Sequence, residues 1–387
     1  MARILQACEA PTLHAEGWSI RHGATSREAA IQPGIGGTPQ GNRSEYSIRV
    51  LENPLFYPAL LSLDLTNAPA AAAIAPINEH WGRFHLQGEG FQRTDNQRVF
   101  GMRLGAVPIF HICQNDIIQT GSIAVGVVLI NGAGTQLVVN ASNAWNTADV
   151  FLIEWHVKLD GVNGIFELWI DGVLQISYIG ALVGPGGELT MDTVMLGGGY
   201  YDGITQDVGV ATALTNNRYR FDDLVINDAT GTINNSRVGD GYVIRLSPTD
   251  NGAFSQLKNS NGTSVNNYRH ASRGAERSTV GPTAPGQRDS YVVSRLDPEW
   301  GGVNAVRFDG VASSNGASIN KLRFSMKPAG QADFQLAAAD TIPPEATTDR
   351  DADSPWVSQI VELNPNTGLG FTAAEFDGAE AGFAFEA

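Results

Sequence analysis

The sequence predicts an all-β protein built on a two-layer sandwich, and three observations carry that prediction. Residues 149–161 alternate strictly: Phe151, Ile153, Trp155, Val157 and Leu159 fall on one side, Glu154, His156 and Lys158 on the other. That is a long strand with one dry and one wet face. Burying its five apolar side chains contributes roughly 8–15 kcal/mol before entropy, at about 1.5–3 kcal/mol each. Asp171-Gly172 stands between two apolar runs, and a tight primed turn needs the positive φ that glycine supplies. The 387 residues include 44 glycines among many short alternating runs, as in proteins made of strands and turns.

The elements follow in order. Residues 1–42 read as an N-terminal arm or a first strand of the sandwich. Strand-like runs lie at 46–51 and 60–65, followed by an alanine tract at 70–75 between Pro69 and Pro76 that reads as a brief helical turn or a linker. Strands are expected at 80–87, 98–104, 109–114, 123–130 and 136–140, then in the hairpin region and at 219–226; this spacing fits a sandwich. Gly197, Gly198 and Gly199 lack the lysine and helix of a phosphate loop and read as a tight turn. Composition shifts to polar at 228–240. The expected organisation is a sandwich over 43–228, a linker over 229–240 and a second, smaller β-sandwich over 241–387. In the latter, strands are expected at 242–246, 291–294, 303–308, 322–326 and 357–363, with a polar stretch over 255–290 that reads as loop or extended surface.

Trp155 on its strand, the Leu168-Trp169-Ile170-Asp171-Gly172 hairpin, the glycine-rich 197–199 and Phe221-Asp222-Asp223-Leu224-Val225-Ile226 together resemble the concanavalin A-like, laminin-G-like jelly rolls. Residues 222–248, and 364–375 near the C-terminus, resemble segments of tailed-bacteriophage virion structural proteins, with Phe371 where a tryptophan is expected. The resemblance covers residues 81–387. It implies a structural component of a phage particle (head decoration, baseplate or tail fibre), located in the virion and made in the host cytoplasm. Its partners would be other virion proteins and further copies of the chain. A glycan-binding adhesin for host recognition is the alternative, and a glycosidase a third reading; the protein is expected not to be an enzyme.

Composition narrows the partners. A net charge of −15 opposes phosphate across the surface, so nucleic acid is a poor partner. No segment approaches 18 apolar residues, so no membrane span is expected, and the first residues lack the apolar core of a signal peptide. Cys8 and Cys113 are too few for a disulfide framework, and Cys113 reads as a buried free thiol.

Few constellations suggest chemistry. Glu375, Asp377 and Glu380 have the pattern of a glycosidase carboxylate strand, but Thr372-Ala-Ala-Glu375 also reads as a capping box that places Glu375 in a structural role. No catalytic residue is therefore assigned. Tyr200, Tyr201 and Trp145 are the candidate sugar-stacking aromatics, with Trp169 reading as core. Asp222, Asp223 and Asp202 are candidate ligands for calcium, a hard cation that takes oxygen donors; the other reading of Asp223 is a local cap or pair at a strand edge. The seven histidines show no metal-site spacing, and His80 and His85 fall on opposite faces of one strand.

Overall fold

The protein was examined as a computed structural model. It describes residues 2–6, 19–22, 29–33, 46–51, 60–64, 77–88, 97–115, 124–130, 136–140, 150–197, 218–297, 302–311, 321–341 and 356–386, apart from positions 106, 185, 231–232, 242, 245, 260–261, 265, 272–279, 283 and 337–339. The chain divides into two compact units, Met1–Ile244 and Arg245–Ala387.

The first unit holds fifteen strands among its described residues: β1 (Ala2–Gln6), β2 (Ser19–His22), β3 (Ala29–Pro33), β4 (Tyr46–Leu51), β5 (Leu60–Asp64), β6 (Glu79–Gly88), β7 (Gln97–Leu104), β8 (Val107–Asn115), β9 (Ala124–Ile130), β10 (Gln136–Asn140), β11 (Val150–Lys158), β12 (Asp160–Ile170), β13 (Val173–Leu182), β14 (Thr193–Gly197) and β15 (Arg218–Asp228). One sheet runs β13-β12-β11-β6-β15-β4-β3, with β1 also paired to β15; the other runs β10-β9-β8-β7-β14-β5-β2. The chain passes repeatedly from sheet to sheet, and every pairing is antiparallel. This is the all-β sandwich that the alternation predicts, of the jelly-roll type that the resemblance implies.

The core lies between the sheets. Ile153, Trp155, Val157 and Leu159 are buried in it as expected, with Phe151 packed at its margin. The Trp155 ring lies 4.5 Å from Phe100 of the opposite sheet and 5.6 Å from Phe84 on the next strand. Gly82 leaves room for it: a Cβ there would collide with the indole, the usual meaning of glycine in a strand interior. The Trp155 indole N–H donates to His80 Nε2 at 3.0 Å, satisfying a polar group that burial would otherwise leave costly.

The hairpin forms as the sequence predicts. Asp171 and Gly172 have φ of 49° and 77°, the primed-turn conformation that follows strand twist. Asp171 also ties the turn to β11, its carboxylate accepting the Leu152 N–H at 2.9 Å.

Among its described residues the second unit is also all-β apart from one short helix, α1 (Asn267–Ala271), and one 3₁₀ turn at Ala373–Phe376. Its strands are β16 (Pro248–Ser255), β17 (Lys258–Asn259), β18 (Val280–Gly281), β19 (Arg288–Val293), β20 (Gly302–Val303), β21 (Val306–Val311), β22 (Lys321–Lys327), β23 (Phe334–Gln335), β24 (Asp340–Thr341), β25 (Trp356–Val361), β26 (Phe371–Thr372) and β27 (Glu380–Glu386). The main sheet runs β16-β19-β27-β22-β23. The stretch 255–290 holds the short extended pieces β17 and β18, and also α1, which was not expected. One expectation is corrected here. None of the described residues of 242–246 lies in a strand; there the Val243 N–H is bound to the Asp223 carboxylate instead of to a neighbouring strand.

Candidate functional site

The outward face of the first sheet, expected to be wet, is instead a half-covered layer of charged side chains. Register sets it out. On β11, Glu154 pairs with Arg83 of β6 and Trp169 of β12; His156 pairs with Trp81 and Glu167; Lys158 pairs with Glu79 and Ile165. Because side chains alternate with period two, these residues share the face opposite Trp155. Glu154 is 1% exposed and His156 7%.

One half of the layer is closed by the segment that follows β15. Arg237 donates through Nε to Glu154 at 3.0 Å and through Nη2 to its other oxygen. The Gly239 N–H adds a third donor at 2.9 Å. Arg83 donates to the carbonyls of Gly239 and Gly241. The Arg237 guanidinium lies 4.8 Å above the Trp169 ring, so Trp169, which read as core, is a half-buried platform on the outward face.

The other half stays open. His156 is held between two carboxylates: Nε2 is 3.1 Å from Glu79 and Nδ1 is 3.1 Å from Glu167. Its ring stacks on Trp81 at 4.5 Å and 6°. The side chains of Glu79 and Glu167 are 21% and 30% exposed, so both carboxylates reach solvent while the imidazole between them does not. Their strands flank β11, which puts the two backbones roughly 9–10 Å apart at a strand spacing of about 4.8 Å.

Few of the residues proposed from sequence enter this site. Asp222 and Asp223 are both buried, at 3% each. Strict alternation would send them to opposite faces, but a register shift lies between Asp222 and Val225 and Asp223 has φ of 53°, a left-handed conformation that aspartate tolerates. One Asp222 oxygen accepts the Asp223 N–H at 2.8 Å; Asp223 receives the Val243 N–H at 2.7 Å and lies 2.9 Å from His85 Nδ1. With those oxygens turned to protein donors, the pair does not fit the oxygen cage of a calcium ion. Among the described residues no cluster of three His, Cys, Asp or Glu side chains is arranged to hold a metal. Asp202, Tyr200, Tyr201 and Trp145 lie outside the described residues, as do Cys8, Gly198 and Gly199 and the side chain of Cys113.

In the second unit, Glu375 is a structural group. One oxygen takes the Thr372 N–H at 2.6 Å and the Thr372 hydroxyl at 3.2 Å. The other takes the side-chain amides of Gln331 and Asn364 at 2.6 and 2.7 Å. Burial raises its pKa, but these donors outweigh that and hold it below the usual glutamate value. Glu380 is likewise committed, to Ser290, Ala253 and Lys327.

No family model matches the chain, and no curated protein matches it. Solved structures do. An alginate lyase, Aly36B, is 10% identical, covers 54% of this chain and 86% of its own, and has a TM-score of 0.38. The endo-β-1,4-glucuronan lyase of Trichoderma reesei is 11% identical over 58% and 95%, at 0.37. The alginate lyase of Klebsiella pneumoniae is 9% identical over 56% and 98%, at 0.38. At this identity the similarity is one of fold. The expected non-enzymatic phage structural component finds no counterpart among them and is not carried further: the three are named as polysaccharide lyases, and none as a virion protein.

The residues that sequence reading missed are Glu79, Trp81, Arg83, Glu167 and Arg237. A signal was available in the period-two placement of polar and aromatic side chains opposite apolar ones on three successive strands, each unremarkable alone.

Proposed function

We propose that the protein cleaves glycosidic bonds at the open half of this face. Glu79 and Glu167 act as acid and base, and His156 is the positioning residue that couples them. The observation that carries the reading is the Glu79–His156–Glu167 chain, with both carboxylates solvent-exposed and the imidazole buried between them. Glycoside hydrolysis needs one carboxyl group to protonate the leaving oxygen and another to activate water. Two carboxylates bonded to opposite nitrogens of one ring, on strands roughly 9–10 Å apart, suit the wider separation of about 6.5–9.5 Å used for inversion. A histidine shared between them passes a proton without either carboxylate moving, since each ring nitrogen can donate or accept according to tautomer.

The test is reducing-end release from a panel of polysaccharides. Glu79→Gln and Glu167→Gln are each expected to lower kcat by about 100-fold or more, the usual worth of a general acid or base. His156→Asn should lose less and shift the pH optimum. The first-formed product should carry the inverted anomeric configuration by NMR. Undiminished release from both carboxamide variants would overturn the proposal.

A further inference from the structure

The charges around the open half select among polysaccharides, and the inference rests on the cleavage reading above. A polyuronate brings one carboxylate per sugar and needs cations to meet it. The two described guanidinium groups beside the open rows are already engaged, and Arg220 lies further along the face, opposite Gln87. Arg83 is bound to the Gly239 and Gly241 carbonyls, and Arg237 to Glu154. In the open rows, Lys158 is the one described cation, and it sits within Coulombic reach of the Asp160 carboxylate. Against it stand Glu79 and Glu167, both facing solvent on either side of His156. With one proton shared in the Glu79–His156–Glu167 chain that chain is net negative, and Asp160 offsets Lys158, so the open rows stay negative on a chain whose net charge is −15. Like charges in contact repel even in water, and more strongly where the dielectric falls. An extended anionic polymer would repeat that repulsion along its length.

The remaining surface of these rows is uncharged. Trp81 and Ile165 are half-buried, and Ile179, opposite Ile165 on β13, is 74% exposed. An apolar and aromatic strip bordered by carboxylates suits a sugar chain that offers hydroxyl or amino groups to the acids and C–H faces to the strip.

We infer that the substrate is a polysaccharide without carboxylates, either neutral or amine-bearing, and that polyuronates are excluded by the Glu79 and Glu167 charges. Affinity electrophoresis measures binding independently of turnover. The full chain is run through gels containing a neutral β-glucan, chitosan, alginate or polygalacturonate, at low and high salt, beside the reducing-end assay on the same polymers. Retardation by the β-glucan or chitosan and none by either uronate is expected. The Glu79→Gln/Glu167→Gln double variant should gain at least threefold in uronate retardation at low salt, and lose that gain at high salt as screening removes the charge term.

The arms separate the two proposals. Retardation by a neutral or amine-bearing polymer without bond cleavage supports the substrate class and overturns the enzymatic reading. Cleavage of alginate or polygalacturonate that His156→Asn abolishes overturns the substrate class and leaves the site standing. No retardation by any polymer overturns both.

Discussion

Two carboxylate centres, one in each unit, differ in what surrounds them. Asp289 on β19 is 1% exposed and receives four donors that carry no charge: the N–H groups of Gln256 and Leu257 at 2.6 and 2.8 Å, the Asn267 amide at 2.6 Å and the Tyr291 hydroxyl at 3.1 Å. Its partners are fixed by backbone and by α1. Burial pushes the Tyr291 hydroxyl pKa up, with the Asp289 charge adding to it, so it stays a donor. The Glu79–His156–Glu167 chain has the opposite construction: every partner can titrate, and both ends meet water. A carboxylate sealed among neutral donors holds the chain together; carboxylates that share a titratable partner can move a proton. This is why chemistry is assigned to the first unit and not to the sealed centre of the second.

The largest expected effect tests the structural half of that contrast. Asp289→Ala would strip four buried donors of their acceptor at once. At about 1–3 kcal/mol for each donor left unsatisfied, with water relieving some, a loss on the order of 3–4 kcal/mol is expected in urea unfolding. Asp289→Asn should recover part of it, since one oxygen remains to accept. A loss under about 1 kcal/mol for the alanine variant would place the centre among ordinary surface contacts.

A pH effect of moderate size comes from the core beneath the site. Burial pushes the His80 imidazole pKa down to about 3, helped by His156 and opposed by Asp228. Its Nε2 accepts the Trp155 indole N–H, so in the folded state it is neutral with the proton on Nδ1. The unfolded chain protonates the same group below about 6.5. The stabilising difference is therefore complete above pH ~6.5 and is lost progressively as pH falls from there toward 3. At pH 5 the loss amounts to about 2 kcal/mol. His80→Gln keeps an acceptor for the indole and removes the titration, so its unfolding midpoint should fall less between pH 7 and 5 than that of the wild type. Parallel pH profiles would show that His80 does not supply the difference.

What was legible in the sequence was local. The β11 alternation and the Asp171-Gly172 turn are written in adjacent residues, and both strand and hairpin form as read. Glu375 as a cap was legible because Thr372 lies three residues away; its other partners, Gln331 and Asn364, are brought by the fold. The catalytic proposal was not legible. Glu79, His156 and Glu167 lie on three strands, and only the register that places His156 opposite both Trp81 and Glu167 brings them together. For Asp223 the reading as a local pair is the one the structure bears out, with His85 and Val243 as partners; the burial of both aspartates was not legible because a bulge shifts register there, and alternation cannot foresee an inserted residue. Residues 242–246 have the composition of a strand, yet there the N–H of Val243 serves the Asp223 carboxylate.

The smallest effect sharpens the boundary between the closed and open halves of the polar face. Removing Arg237 leaves the buried Glu154 carboxylate with the Gly239 N–H. Losing one partner of a fully buried pair costs about 3–5 kcal/mol. Here the Arg237 side chain is 36% exposed, and water enters where it leaves, so Arg237→Ala should cost on the order of 1–2 kcal/mol. Adding Glu154→Gln removes the stranded charge, and the double variant should be more stable than Arg237→Ala alone. If the double variant is instead as unstable as the sum of the two single changes, the pair does not interact, and the segment at 237–243 is held by Arg83 and Asp223 alone. Reducing-end release by Arg237→Ala supplies the second readout: the open rows are built from β6, β11 and β12 rather than from that segment, so KM and kcat should move less than about threefold while stability falls.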